Sequence, residues 1–145
     1  MDTISTNKRA YFDYTILETY EAGIELSGQE VKSVKNGRIN LSGSYAIIQN
    51  NQAWLLNADI PAYQPKNAPA AYAPKRTRRL LLHKSEIANL IGKTKEKGLT
   101  LLPLKVYIKG QKIKVEIGLG KSKKKADKRE TIRKRETSKE IRRSF

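Results

Sequence analysis

The chain contains few side chains suited to acid–base or metal chemistry. His83 is the single histidine and cysteine is absent, which excludes histidine pairs, thiolate zinc sites and thiol catalysis. Asp13 or Asp59 could orient His83 in a catalytic set, but a lone histidine beside three leucines is more often structural. The phosphate-loop patterns GxxxxGK[ST] and GxGxxG are missing too. We therefore expect no enzyme, no catalytic residue, no metal and no cofactor.

Positive charge is the most distinctive chemical feature of the chain. Residues 121–145 hold 12 Lys/Arg and 4 Asp/Glu, so this tail carries +8 of the formal net charge of +16. Two further basic patches are Lys32, Lys35 and Arg38, and residues 75–79. Phosphate backbones attract such side chains through Coulomb forces and counterion release, so nucleic acid is the predicted partner. A solvated surface, and for the tail a nuclear-targeting or solubilising role, are the alternatives.

Tyrosines could add stacking faces for unpaired bases, as in RNA-binding barrels. Those considered are Tyr11, Tyr14, Tyr20, Tyr63, Tyr72 and Tyr107. Strand alternation favours core packing for Tyr14 and Tyr107.

The length of 145 residues predicts one domain of about 115 residues plus the tail. No apolar run approaches the roughly 20 residues of a spanning helix, and the first ten residues lack the apolar stretch of a secretion signal. We expect a soluble cytoplasmic protein. Binding to an anionic membrane is disfavoured because the tail lacks large apolar residues on one face.

The first half of the chain alternates like β-structure. A strand is predicted from Tyr11, with a bulge or bend at Gly23, followed by a helix over roughly residues 28–36 that stops at Gly37. Two apolar runs, Tyr45 to Gln49 and Ala53 to Asn57, predict a hairpin with Trp54 in the core. This is the pattern of a β-rich domain.

Four prolines between residues 60 and 77 predict a surface loop. Leu80-Leu81-Leu82 then fits a buried strand, and Ser85 can cap a helix whose Ile87, Leu90 and Ile91 share one face. The alternation of residues 102–108 and 113–119 predicts a second hairpin.

These elements predict a mainly β fold with short helices (α+β), best described as a small OB-like β-barrel over residues 1–120. The tail, residues 121–145, has too few apolar residues to fold alone. We expect it to be disordered when free and helical when phosphates neutralise its cations.

Three motifs in order resemble the SmpB family, the SsrA-binding proteins: residues 21–38 (EAGIELSGQEVKSVKNGR), 76–84 (RTRRLLLHK) and 127–129 (DKR). The resemblance runs from about residue 7 to residue 135. It implies an RNA-binding factor of trans-translation, the ribosome-rescue pathway, with an OB-fold and without catalysis. Such a factor binds the tRNA-like domain of transfer-messenger RNA (tmRNA), delivers it to stalled ribosomes and mimics the missing anticodon arm.

The resemblance also implies site residues and partners. The tmRNA-binding positions are Glu21, Glu30, Lys32, Arg38, Leu81 and His83. The positions near the decoding centre of the small ribosomal subunit are Lys121, Lys123, Lys124, Lys128 and Arg129, while the tail enters the mRNA channel. Elongation factor Tu and alanyl-tRNA synthetase are implied partners through tmRNA, and the protein is expected to be a monomer that binds no membrane. For Glu21 and Glu30, structural support and RNA contact remain equally open.

The tail departs from the family pattern at three places. Ser122 replaces a usual glycine, which restricts a turn. Ala126 replaces a histidine or aromatic residue that can stack on a ribosomal base, and residues 137–145 match no particular pattern.

Two rival functions follow from the residues. A structural ribosomal protein also joins a small barrel to a basic extension. A nuclease could use Asp13, Glu21 and Glu30 to hold a metal ion.

Overall fold

A computed structural model of the chain describes residues 2–64, 66, 71–96, 98–123 and 129. In this part of the chain, seven strands and three short helices follow one another in the order β1 Asp2–Thr6, α1 Lys8–Asp13, β2 Tyr14–Ile24, α2 Gly28–Lys35, β3 Tyr45–Gln49, β4 Gln52–Leu56, β5 Arg78–Leu81, α3 Lys84–Lys93, β6 Leu99–Lys109 and β7 Lys112–Ser122.

Six of the seven strands form a ring of antiparallel pairings. Its order is β2-β7-β6-β3-β4-β5 and back to β2, while β1 pairs with β6. The β6–β7 and β2–β7 ladders run the length of their strands. Two of the pairings are short, however: β3 pairs with β6 only at Ala46–Leu101, and β2 pairs with β5 only at Gly23 and Ile24. The fold is thus a partly open, OB-like ring rather than a complete barrel, which confirms the predicted mainly β class.

The ring encloses one apolar core, and a smaller cluster lies beside it. Leu55, Leu80, Val106 and Ile117 are among the buried residues of the main core. The second cluster joins Ala10 of α1 to Leu102 and Leu104 of β6. Together these clusters fix the ring and α1 as one rigid support for the surface residues.

Three predicted elements are confirmed. Helix α2 occupies residues 28–35, and Gly37 follows it with φ 77°. Strands β3 and β4 form the predicted hairpin, whose turn residues Asn50 and Asn51 have φ 54° and 58°, as the tight primed turn requires. The β6–β7 hairpin turns at Gly110, with φ 64°.

The prediction of a strand from Tyr11 is wrong at its start. Residues 11–13 belong to α1, and the strand begins at Tyr14. Asn7 caps α1, because its side-chain oxygen accepts a hydrogen bond from the Ala10 N–H at 3.3 Å, and this cap turns the chain before the alternation begins. Strand β1 was not predicted.

Two further expectations are corrected. The chain shows no bulge at Gly23: β2 continues through it, and the register shift lies between Ile16 and Glu18. Trp54 is outside the core, because Ala53 and Leu55 point inward on β4 and the residue between them must point outward.

The α3 helix begins two residues earlier than expected. His83 rather than Ser85 is the residue before it, and Glu86 accepts a hydrogen bond from the His83 N–H at 3.0 Å. The helix runs through Gly92 to Lys93.

Strand β7 extends two residues into the predicted tail. Lys121 and Ser122 pair with Thr15 and Tyr14, and the Lys123 N–H donates to the Asp13 carbonyl at 2.9 Å. From residue 124 onwards only Arg129 is described, so the predicted change of the tail from disorder to helix concerns residues outside the described part of the chain. Among the described helices, none combines the length and apolar character needed to cross a membrane.

Candidate nucleic-acid interface

Two exposed cations flank one aromatic ring beside α2. The Lys32 ammonium lies 5.8 Å from the centre of the Tyr63 ring, and an Arg38 guanidinium nitrogen donates to the Tyr63 carbonyl at 3.3 Å. Within the described part of the chain, neither cation forms an ion pair with a carboxylate. Their charge is therefore available to a polyanion.

The exposed Leu81 borders a groove of about 390 Å³ between β5, β7 and α2. Leu81 is 45% exposed, and the groove also contains Ile24, Val31, Lys112 and Lys114. The prediction of a fully buried three-leucine strand is therefore wrong for Leu81. An apolar floor with lysines at its border suits sugar and base edges together with phosphate.

The Gly23 backbone approaches Leu81 closely. A Cβ atom at Gly23 would lie 3.2 Å from the Leu81 Cβ, where the β2–β5 pairing closes the ring. Glycine at this position lets β2 and β5 pair closely without a side chain pressing on Leu81.

Glu21 projects from β2 near this groove and is held by two neighbours. Its carboxylate accepts a hydrogen bond from the Tyr107 hydroxyl at 2.5 Å and lies 3.3 Å from the Lys109 ammonium. The hydrogen bond from Tyr107 lowers the pKa of Glu21, and Lys109 lowers it further. Burial and the Glu21 hydrogen bond raise the pKa of Tyr107. Glu21 is thus a partly exposed, ionised acceptor in a fixed position.

Glu30 is only 1% exposed and lies at the start of α2. It accepts from the Ser27 N–H at 2.9 Å, completing a capping box, and from the guanidinium groups of Arg76 and Arg78. Burial raises the pKa of Glu30, but the hydrogen bonds from Arg76, Ser27 and Arg78 outweigh it and hold the pKa below its usual value. Of the two readings of Glu30, this environment favours structural support.

The basic patch at residues 75–79 divides into structural and surface residues. Arg78 is fully buried and donates to the carbonyls of Ala58 and Pro74 at 2.8 and 2.9 Å. Arg79 pairs with Glu25 at 3.2 Å. Because a buried guanidinium cannot meet phosphate, Arg78 does not belong to the predicted basic surface.

His83 and the described tail residues are exposed. His83 lies between β5, which ends at Leu81, and α3. Lys121 and Arg129 are exposed and Lys123 is partly so, whereas Lys124 and Lys128 lie outside the described residues. Lys121 and Lys123 leave the ring at the end of β7, far along that strand from the Leu81 groove.

Most of the tyrosines have structural partners. Tyr107 is buried, as predicted, and Tyr14 packs against the smaller cluster. The Tyr20 hydroxyl donates to the Glu18 carboxylate at 2.5 Å, and the Tyr72 hydroxyl donates to the Ile60 carbonyl at 2.7 Å. Tyr63 is the ring that the exposed cations accompany.

The three carboxylates of the nuclease alternative are not brought together. Glu21 follows Asp13 by eight residues, all of them in β2, which is roughly 25 Å at about 3.3 Å per residue. Asp13 also pairs with Arg9 at 2.8 Å. Glu30 is occupied by arginines. Among the described residues, no group of three possible metal ligands occurs.

A partly open OB-like ring with unpaired surface cations beside an aromatic ring is typical of small nucleic-acid-binding proteins of the OB-like class. The family model described as SmpB protein matches residues 4–145, and the chain belongs to the SmpB family.

Similar proteins cover nearly the whole chain. An SsrA-binding protein of Gloeothece citriformis is 52% identical over 98% of this chain and 92% of its own length. An SsrA-binding protein of Carboxydothermus hydrogenoformans is 54% identical over 95% of this chain and 92% of its own length. A solved structure described as "tmRNA-SmpB: a journey to the center of the bacterial ribosome" contains a chain that is 44% identical, with a TM-score of 0.70, covering 89% of this chain and 94% of that one.

Proposed function

We propose that this protein is an RNA-binding factor of trans-translation. It binds the tRNA-like domain of tmRNA, delivers that RNA to stalled ribosomes and stands in for the missing anticodon arm. Membership of the SmpB family over residues 4–145 supports this role, as do relatives named SsrA-binding protein at about half identity. The contribution of the protein is binding and placement rather than catalysis.

The observation that carries the RNA-binding role is the unpaired cation pair beside Tyr63. Some cations elsewhere at the surface, such as Lys93 with Glu18 and Arg79 with Glu25, already pair with a carboxylate. Lys32 and Arg38 are not, so RNA phosphates can replace water and counterions around them without breaking an ion pair.

The groove next to α2 supplies contacts of a different kind. Leu81 offers an exposed apolar surface to a sugar or base, and Glu21 offers a fixed acceptor to a 2′-hydroxyl or a base amino group. His83 follows Leu81 by two residues, is exposed, and adds a ring with hydrogen-bonding nitrogens. Glu30 supports this surface from beneath by fixing the start of α2.

The tail provides the second binding surface. We propose that Lys121, Lys123, Lys124, Lys128 and Arg129 contact the ribosomal RNA near the decoding centre, with the following residues in the vacant mRNA channel. Contacts there are made with the RNA backbone, because lysine and arginine neutralise phosphate without reading bases. Elongation factor Tu and alanyl-tRNA synthetase meet the protein only through tmRNA, in the cytoplasm.

Sequencing the RNA that co-purifies with the protein from cells tests this function. One dominant tmRNA species is expected. A broad mixture of RNAs would contradict the proposal. Presence on every ribosome in stoichiometric amount would instead favour the alternative of a structural ribosomal protein.

A further inference from the structure

A mainly apolar cleft of about 420 Å³ lies between the first turn of α2 and the segment at residues 71–73. Its wall includes Gly28, Gln29, Tyr72 and Arg76. The cleft is separate from the Leu81 groove, with which it shares no lining residue. Nothing in the proposed role of the surface cations accounts for it.

Arg76 presents a flat face rather than free donors to this cleft. Its side chain is 41% exposed, yet Nε donates to Glu30 at 3.1 Å and a terminal nitrogen bonds the other Glu30 oxygen. The remaining terminal nitrogen donates to the Thr77 carbonyl at 3.3 Å. A guanidinium whose edges are engaged in this way is poorly placed to bind phosphate but can stack on a planar ring.

Tyr72 supplies an aromatic ring in a fixed position on the same cleft. Its hydroxyl donates to the Ile60 carbonyl at 2.7 Å, which anchors the ring at its polar end. Alanines 71 and 73 line the cleft on either side of Tyr72 in sequence and leave room next to the ring. A planar ligand can therefore lie against the tyrosine without displacing a larger side chain.

Gln29 adds an unused acceptor. Its Oε1 atom is buried, and among the described residues it receives no hydrogen bond, although a buried polar atom without a partner is destabilising. A ligand that carries an amino group would satisfy it. The cleft thus combines an aromatic ring, a cationic plane and a hydrogen-bond acceptor.

We propose that this cleft binds one unpaired nucleobase with an exocyclic amino group, adenine, cytosine or guanine. The base stacks on Tyr72 and on the Arg76 plane, and its amino group donates to Gln29. The inference rests on the proposed function for the source of the base, an unpaired nucleotide of the bound RNA. Stacking of this kind is tolerant of sequence, and the amide oxygen favours a base that presents an amino group to it.

The test uses the full chain, a transcript of the tRNA-like domain of tmRNA, and chemical probing with dimethyl sulfate and kethoxal. The first reagent reports unpaired adenine and cytosine, and the second reports guanine. Wild-type protein is expected to protect one unpaired base that becomes reactive again with Tyr72→Leu and with Arg76→Lys. Each variant should weaken binding about tenfold, the loss typical of one stacked base.

Matched controls separate stacking from charge and from folding. Tyr72→Phe keeps the ring and should retain the protection. Arg79→Lys alters an arginine of similar exposure, 40%, outside the cleft, and should change nothing. If Tyr72→Leu and Arg76→Lys both bind the transcript with the wild-type protection pattern, the inference about the cleft is wrong and the proposed function is unaffected. If the wild-type chain does not bind the transcript, the proposed function is wrong as well.

Discussion

Nε of Arg78 lies 2.6 Å from Oε2 of Glu30, and both side chains are closed off from solvent, at 0% and 1% exposure. This buried ion pair ties the first turn of α2 to strand β5. Arg78 also donates to the backbone carbonyls of Ala58 and Pro74, so the guanidinium holds four segments of the chain together. The surface residues on α2 and β5 depend on this junction for their positions.

Glu30→Gln should destabilise the fold by about 3 kcal/mol, because it leaves a buried guanidinium without its counter-charge. Urea unfolding followed by circular dichroism measures the change. Glu25→Gln is the matched control, since it removes the exposed partner of Arg79 and should cost less than about 1 kcal/mol. Equal, small losses in both variants would show that the buried pair contributes no more than a surface one.

The same carboxylate should make stability depend on acidity. The pKa of folded Glu30 is held below its usual value, so its contribution is present above the unfolded pKa of about 4.3 and is lost as pH falls through the folded value. Urea midpoints of the wild type should therefore decrease below about pH 4.5 more steeply than those of Glu30→Gln. If the urea midpoints of the wild type and of Glu30→Gln fall equally steeply below that pH, this assignment is wrong.

Lys32→Ala and Arg38→Ala should each weaken binding to the tRNA-like domain by about 1 kcal/mol and reduce the slope of log K against log salt by about 0.7–0.9. The reason is the loss of one phosphate contact in each variant. Fluorescence anisotropy at salt concentrations from about 50 to about 300 mM measures the affinity where it depends most strongly on salt. Lys93→Ala is the control, because its ammonium already pairs with Glu18, and an unchanged slope for Lys32→Ala and Arg38→Ala would exclude them from the interface.

Truncation after Lys123 should separate the two proposed binding surfaces. This end point keeps all of β7 and the bond from the Lys123 N–H to the Asp13 carbonyl, so the ring stays intact. The shortened protein is expected to bind the tRNA-like domain normally and to fail in tagging stalled chains in a reconstituted translation reaction. Parallel loss of both activities would show that the tail belongs to the tmRNA-binding surface.

Gly118→Ala should destabilise the protein by about 1–3 kcal/mol through overpacking. A Cβ atom there would lie 2.6 Å from Leu104 Cδ1 and 3.2 Å from Ile16 Cγ2, so the smaller cluster would have to move. Gly92→Ala is the opposite case: its Cβ has open space within α3, and the substitution should stabilise the helix by about 0.5–1 kcal/mol. Thermal unfolding of the two variants should therefore shift in opposite directions.

Regular patterning made much of the fold predictable. The β3–β4 and β6–β7 hairpins follow from alternation and from turn residues that accept positive φ, and α2 follows from Ser27 and Glu30 at capping spacing. Helix α1 escaped prediction because its six residues run directly into the alternation of β2. The cap at Asn7 was the signal that could have revealed it.

The candidate site was less predictable because charge in a sequence does not show where a side chain points. Arg78 belongs to a basic run and reads as surface, yet it occupies the inward parity of β5 together with Leu80. The same parity argument places Leu81 outward. The cleft near Tyr72 depends on two segments more than 40 residues apart in sequence, a relation that no local pattern contains.

Strand β7 begins at the Leu81 groove, where Lys112 and Lys114 lie, and ends where Lys123 bonds to Asp13. Its 11 residues span about 35 Å at roughly 3.3 Å each, and ladders on both edges prevent it from bending freely. The strand therefore holds its two ends at a fixed distance from each other. With RNA bound at the groove, as proposed, the point where the C-terminal segment leaves the ring lies at a fixed distance from that RNA. This raises the effective concentration of the segment at a target the same distance away.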